Sequence, residues 1–240
     1  MKKAFALIIT AMLAVSMTAC GQSAQNTSSQ ATTAAAETTA AETAAETEAP
    51  ISGGYTDAAS PVVTDEVKAL FDKAAEGLTG VGYVPVAYVS SQVVAGTNHL
   101  LLCTATPATE EGKTTYALVT LYEDLNGGAE ITEIRNSDAE APAVSDEPLD
   151  GAVTAAESPE VTADAKEALT KATDLLTGAT YEPVALLSTQ VVNGTNYKML
   201  CKITTVTEKP ESDYAVVTVW ANSDGTAQIT ETYEFASSQS

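Results

Sequence analysis

The amino-acid sequence contains one domain-sized segment twice, and this duplication restricts the possible folds more than any other feature. Residues 53–133 align with residues 151–231 at a constant offset of 98 positions, without a gap. A repeat of this length is typical of two copies of one folded unit, and it excludes a solenoid built from short repeats. We call the copies repeat 1 and repeat 2.

Each repeat predicts one helix followed by antiparallel strands. Thr64 is a candidate N-cap, and apolar residues recur after it at spacings of three and four. These residues are Val67, Leu70, Phe71, Ala74, Ala75 and Leu78, with Ala165, Leu169, Ala172, Leu175 and Leu176 in repeat 2. Strand-like runs cover 83–91, 99–106, 116–123 and 129–134, and Asn126-Gly127 predicts a hairpin turn between the last two. We expect an α+β class, with one helix packed on a four- to five-stranded antiparallel sheet in each domain.

Composition divides the chain further. Residues 1–20 combine Lys2 and Lys3 with an apolar stretch too short to span a bilayer, which predicts a signal peptide. Residues 21–50 are almost entirely Ser, Thr, Ala, Gln and Glu, which predicts a disordered stalk. Two domains are then expected at 51–136 and 151–235, separated by an acidic linker at 137–150.

The end of the signal peptide, Met17-Thr18-Ala19-Cys20, resembles the lipobox of bacterial lipoproteins. The resemblance implies that Cys20 becomes the first mature residue and carries the lipid. The protein would then be exported and anchored to the bacterial cell membrane, facing outside. The alternative is an ordinary signal peptide with an incidental cysteine.

The net charge argues against two classes of binding partner. Lys and Arg number 11 against 32 Asp and Glu, a formal charge of −21. This acidity argues against nucleic acid as a partner and against electrostatic docking on anionic lipid. We therefore expect membrane contact through the lipid anchor only, and a monomer.

A valine-rich stretch lies between two strand-like runs in both repeats. It reads Gln-Val-Val-Ala-Gly-Thr-Asn at residues 92–98 and Gln-Val-Val-Asn-Gly-Thr-Asn at residues 190–196. Glycine allows the chain to reverse there, which predicts a hairpin tip. Exposed valines at such a tip favour an interaction site.

The glycine pair Gly53-Gly54 ahead of the helix, the helix itself and this tip together resemble the cystatin family, most closely stefins and plant cystatins, over 53–136 and 151–235. The resemblance implies two tandem cystatin-like domains. It also implies a surface-anchored, reversible inhibitor of papain-like cysteine peptidases, in which an N-terminal glycine segment and two hairpin loops form a wedge. The corresponding protease-binding residues are Gly53, Gly54, Gln92, Val93, Val94, Ala95, Gly96 and Leu125.

Repeat 2 departs from the family pattern. It has a single glycine in place of the pair, and its second loop, residues 222–225, is wholly polar. We expect its affinity for a peptidase to be weaker or lost. Its possible protease-binding residues are Gly151, Gln190, Val191, Val192, Asn193 and Gly194.

The sequence offers no catalytic constellation. Cys103 and Cys201 lie in apolar strands and are expected to be buried free thiols, and His99 is the only histidine. We therefore predict no enzyme activity, no cofactor and no metal site. Two alternatives to an inhibitor remain: a non-inhibitory module that binds a protein or a polymer of the bacterial envelope, and a ligand-binding relative with a lined cavity.

Overall fold

The computed structural model describes residues 54–109, 112–142 and 151–237. The predicted signal peptide, Cys20, the stalk, Gly53 and most of the linker lie outside these residues. Within the described part, each repeat has a short strand, a helix and four strands in that order. The elements are β1 (Tyr55–Asp57), α1 (Asp65–Ala74), β2 (Val81–Val94), β3 (Gly96–Pro107), β4 (Thr115–Glu123), β5 (Ala129–Glu140), β6 (Thr154–Ala155), α2 (Ala163–Thr173), β7 (Ala179–Val192), β8 (Gly194–Thr205), β9 (Ser212–Ala221), β10 (Ala227–Glu234) and β11 (Ala236–Ser237).

The strands form two antiparallel sheets. Sheet 1 has the order β1-β2-β3-β4-β5-β11, and sheet 2 has the order β10-β9-β8-β7-β6. Sheet 1 thus contains the five strands of repeat 1 and a two-residue strand from the end of repeat 2. Ala236 of that short strand pairs with Asn136 at the edge of sheet 1. Neighbouring strands are consecutive in the chain in nearly every case, as expected for short hairpin connections.

The two sheets pack face to face and share one apolar core. Both repeats contribute buried side chains to it: Ala87, Val89, Leu102, Tyr116, Leu118 and Ala139 from repeat 1, and Ala185, Leu187, Leu200, Val216 and Phe235 from repeat 2. Ion pairs join the sheets beside this core, with 2.6 Å between Lys202 Nζ and Asp57 Oδ2 and 2.6 Å between Arg135 Nη2 and Asp213 Oδ2. We call the cluster the inter-sheet core.

Each helix lies against the sheet face that is turned away from the inter-sheet core, α1 on sheet 1 and α2 on sheet 2. Phe71 of α1 is buried among Leu101, Cys103, Val119 and Leu121 of sheet 1. Ala165, Ala168 and Leu169 of α2 pack in the same way against sheet 2. The expected N-cap is confirmed, because Thr64 Oγ1 accepts a hydrogen bond of 3.3 Å from the Val67 N–H. The helix ends sooner than the apolar pattern predicts, since Leu78 lies outside it and is exposed.

The predicted fold class, α+β with two tandem cystatin-like domains that each pack one helix on a sheet, is wrong. The described residues are 54% strand and only 12% helix, so the protein is mostly β. The prediction treated one face of each sheet as solvated and the helix as the layer that closes the core. Instead the strands of β4 and β9 are buried on both faces, because the sheets of the two repeats cover each other.

The strands continue beyond the expected domain boundaries. β5 extends to Glu140, four residues into the segment predicted as a linker, and β11 lies after residue 235. Both repeats belong to one compact unit. Neither of the helices in the described ranges is long and apolar enough to cross a membrane.

Candidate functional site

The valine-rich stretch of repeat 1 is the tip of the β2–β3 hairpin. Val93 pairs with Thr97 and Val94 pairs with Gly96, so Ala95 alone makes the reversal. The two valines are exposed, although the preceding stretch of β2, residues 85–92, is half-buried or buried. We call residues 92–96 tip 1 and the equivalent residues 190–194 tip 2. The turn is tighter than the sequence predicts, because both strands run up to it.

Strand pairing brings two further segments beside tip 1. Tyr55 of β1 pairs with Gln92, so the preceding Gly54 lies next to the tip on one side. On the other side Thr97 pairs with Glu123, and the loop 124–128 begins directly after Glu123. Gly54, tip 1 and the loop 124–128 therefore lie side by side at one end of sheet 1. Leu125 projects from that loop with 83% of its surface exposed.

Tip 1 is held from behind by the strand that follows the hairpin. The Tyr122 hydroxyl donates a hydrogen bond of 2.6 Å to the carbonyl oxygen of Ala95. Gly96 has φ +133°, and a Cβ atom there would lie 2.3 Å from the carbonyl oxygen of Glu123. Only glycine allows the tip to lie this close to β4. The tip is thus a preformed, narrow turn.

Gln92 contributes to the same bracing. The side chain of Asn98 donates a hydrogen bond of 2.8 Å to Gln92 Oε1 across the hairpin. The corresponding bond in repeat 2, from Asn196 to Gln190, is 3.0 Å long. In both repeats this pair of side chains joins the two strands of the hairpin just behind the tip.

The loop 124–128 is ordered by its own first residue. Asp124 Oδ1 accepts main-chain hydrogen bonds from Asn126 at 2.6 Å and Gly128 at 2.9 Å. The bonds from Gly128 and Asn126 hold the pKa of the Asp124 carboxyl below its ordinary value. Lys73, in the last turn of α1, donates a hydrogen bond of 2.7 Å to the carbonyl oxygen of Gly127. The helix therefore fixes the loop that presents Leu125.

Repeat 2 builds tip 2 by the same means. Trp220 Nε1 donates a hydrogen bond of 3.0 Å to the carbonyl oxygen of Asn193, which matches the contact of Tyr122 in repeat 1. A Cβ atom at Gly194 would lie 2.3 Å from the carbonyl oxygen of Ala221. Val191 and Val192 are exposed. Gln190 also donates a hydrogen bond of 2.8 Å to the carbonyl oxygen of Gly151, which brings that glycine beside the tip.

The remaining titratable candidates lie inside the core or behind tip 1. Cys103 and Cys201 are buried free thiols, as expected. Burial raises the pKa of Cys201 to about 12, and it raises the pKa of Cys103 as well. His99 lies behind tip 1 with its Nδ1 2.9 Å from the Tyr88 hydroxyl and its Nε2 3.3 Å from Glu123 Oε2. Within the described ranges, no group of three or more His, Cys, Asp or Glu residues could hold a metal ion.

The two aromatic residues that brace the tips were not among the site residues predicted from the sequence. Tyr122 and Trp220 occupy equivalent positions at the offset of 98, and each is a hydrogen-bond donor on an aromatic ring. The residue type differs between the repeats, but both side chains keep a hydrogen-bond donor on an aromatic ring. That shared property could have identified this position from the sequence. Gly53 and Cys20 lie outside the described residues, so the structure does not describe them.

No protein-family model matches the chain, and no curated protein matches it. The resemblance to cystatins therefore depends on the motif residues alone.

Proposed function

We propose that the protein is a reversible inhibitor of papain-like cysteine peptidases that inserts tip 1 into the active-site cleft. The observation that supports this most is the alignment of Gly54, tip 1 and the loop 124–128 at one end of sheet 1. Three adjacent segments, of which tip 1 and the loop carry exposed apolar side chains, match the shape of a long, shallow cleft better than that of a small-molecule site.

The physical basis is burial of apolar surface by a rigid turn. Val93 and Val94 are already exposed, so binding removes them from water without rearranging the hairpin. Tyr122 and Gly96 hold the turn in one conformation, which reduces the entropy lost on binding. An inhibitor of this kind blocks the cleft by occupancy and needs no nucleophile of its own.

The test measures inhibition of papain by the predicted mature chain, residues 20–240 with Cys20→Ser so that no lipid is attached. Val94→Asp places a charge in the interface, and we expect the inhibition constant of tip 1 to rise more than about tenfold. Val62→Asp is the matched control, because Val62 is 44% exposed and Val94 is 45% exposed. Each variant is measured in a background with Val192→Asp, so that tip 2 does not mask the effect.

A mature chain that leaves papain fully active at micromolar concentration contradicts the proposal. Equal effects of Val94→Asp and Val62→Asp would contradict the role of tip 1. In the first case the alternative of a non-inhibitory module that binds an envelope protein or polymer would be favoured.

We also propose that the protein acts outside a bacterial cell, attached through lipid at Cys20. The support is the sequence Met17-Thr18-Ala19-Cys20 after an apolar segment of signal-peptide length. Incorporation of labelled fatty acid that persists in a Cys20→Ala variant would contradict this attachment.

A further inference from the structure

From the arrangement of the two sheets, we infer that the protein binds two papain-like peptidases at once, one at each end of the molecule. This inference rests on the proposed function, and it adds a second working site and a stoichiometry. It depends on two properties of the structure: the construction of tip 2, and the direction in which it points relative to tip 1.

Tip 2 has the parts that make tip 1 a preformed turn. An aromatic donor binds the carbonyl at the reversal, a glycine passes close to the neighbouring strand, and an amide pair joins the strands behind it. Its two valines are exposed to a similar degree as those of tip 1. Gly151 lies beside tip 2 through its hydrogen bond with Gln190, as Gly54 lies beside tip 1. The departures in the sequence have therefore left the apolar turn intact.

The contacts between the sheets show that the tips point in opposite directions. Asp57 pairs with Ser90, which lies four residues before Val94 at the turn of tip 1. Its ion-pair partner Lys202 lies eight residues after Gly194 at the turn of tip 2. Lys198 lies only four residues from tip 2, and its Nζ donates a hydrogen bond of 2.9 Å to the carbonyl oxygen of Glu140, at the far end of β5. Tip 2 is therefore near the end of sheet 1 that is remote from tip 1.

The separation is large enough for two peptidases. The Asp57–Lys202 contact places the tips about twelve residues apart along the strands, or roughly 40 Å at about 3.3 Å per residue. A peptidase of about 200 residues has a radius of gyration of about 16 Å. Because the two partners approach from opposite ends, the sandwich itself lies between them. Binding at one tip leaves the other tip open.

The two ends differ in the loop beside the tip. Leu125 adds an apolar contact next to tip 1, whereas the equivalent loop of repeat 2 is polar and is closed by hydrogen bonds from Thr226 to Asp224. We therefore expect tip 2 to bind about tenfold more weakly than tip 1, the loss expected for one exposed leucine that is not buried. A two-to-one complex should then form in two steps as peptidase is added.

The test measures the mass of the complex between papain and the mature chain with Cys20→Ser, by light scattering after size exclusion and by native mass spectrometry. We expect two papain molecules per chain for the wild-type tips and for Val62→Asp. Val94→Asp and Val192→Asp should each bind one papain molecule, with the weaker affinity in Val94→Asp, which retains only tip 2. The double variant should bind none.

The outcomes separate this inference from the proposed function. If Val94→Asp binds no papain while Val192→Asp still does, tip 2 is not a peptidase site and the inference fails, but the proposed function stands. If both single variants bind one molecule and the unmutated tips also bind only one, simultaneous binding is wrong. If no form binds papain, the proposed function itself fails.

Discussion

Tyr122 and Trp220 occupy the same position in the two repeats and donate to the same carbonyl of their respective tips. Neither side chain lies in the turn, so neither needs to touch a peptidase to affect its binding. At the scale of single residues, the bracing hydrogen bond and the glycine that permits close approach are what make an exposed, apolar turn rigid.

We expect Tyr122→Phe to weaken inhibition of papain through tip 1 by about three- to tenfold, since one hydrogen bond contributes about 0.5–1.5 kcal/mol. Its effect on the free energy of unfolding should be below about 1 kcal/mol, because the bond lies at the exposed end of the sheet. Tyr122→Trp is the matched control, since repeat 2 makes the same bond with tryptophan. Inhibition assays combined with urea denaturation check both expectations, with tip 2 inactivated by Val192→Asp.

If Tyr122→Phe and Tyr122→Trp weaken inhibition equally, a donor retained on the tryptophan ring does not preserve inhibition, and the bracing role of the hydrogen bond is wrong. If the loss of inhibition follows a large loss of stability, the residue acts on the fold and not on the tip.

At the scale of elements, strand β4 shows that both faces of sheet 1 are covered. Leu118 points into the inter-sheet core and is 1% exposed, whereas Leu121 lies on the helix side and is fully buried. A strand with one solvated face would bury only one of these leucines. The element is therefore stabilised from both sides, by repeat 2 on one face and by α1 on the other.

We expect Leu118→Ala and Leu121→Ala to lower the free energy of unfolding by similar amounts, about 2–5 kcal/mol each. Both substitutions remove the same atoms from a packed environment. Comparing their costs therefore shows whether the face towards repeat 2 is packed as tightly as the face towards α1. Leu125→Ala is the control on an exposed leucine and should change stability by no more than about 0.5 kcal/mol. Urea denaturation of the mature chain measures all three. A cost below 1 kcal/mol for Leu118→Ala alone would mean that the second face of sheet 1 is not covered.

The same strand explains what could be predicted from the sequence and what could not. The hairpins, the N-cap at Thr64 and the position of the tips follow from local patterns, because a turn and its flanking strands are close in the chain. The packing of one sheet on the other depends on residues far apart, such as Arg135 and Asp213, and no local pattern specifies it. The continuous apolar run 117–119 was consistent with a strand buried on both faces, but it does not identify the covering layer.

At the scale of the whole molecule, the duplication has produced a sandwich in which each repeat completes the other. The inter-sheet core contains buried residues from both repeats, and β11 of repeat 2 adds to the edge of sheet 1. Antiparallel packing of two similar sheets also places their tips at opposite ends. The arrangement that stabilises the fold thus determines how the candidate sites are presented.

An isolated repeat 1, residues 51–142, should therefore not persist as a stable monomer. Separation exposes one face of sheet 1, including Val89, Leu102, Tyr116 and Leu118. Returning these side chains to water costs roughly 10 kcal/mol at most, which is comparable to the whole stability of a small protein. We expect the fragment to unfold or to dimerise through this face, and we expect the mature chain to be a monomer. Sedimentation equilibrium and urea denaturation distinguish these states, and mixing the fragment with residues 143–240 should restore a cooperative transition.

A monomeric fragment with the same denaturation midpoint as the mature chain would show that the inter-sheet core does not hold the repeats together.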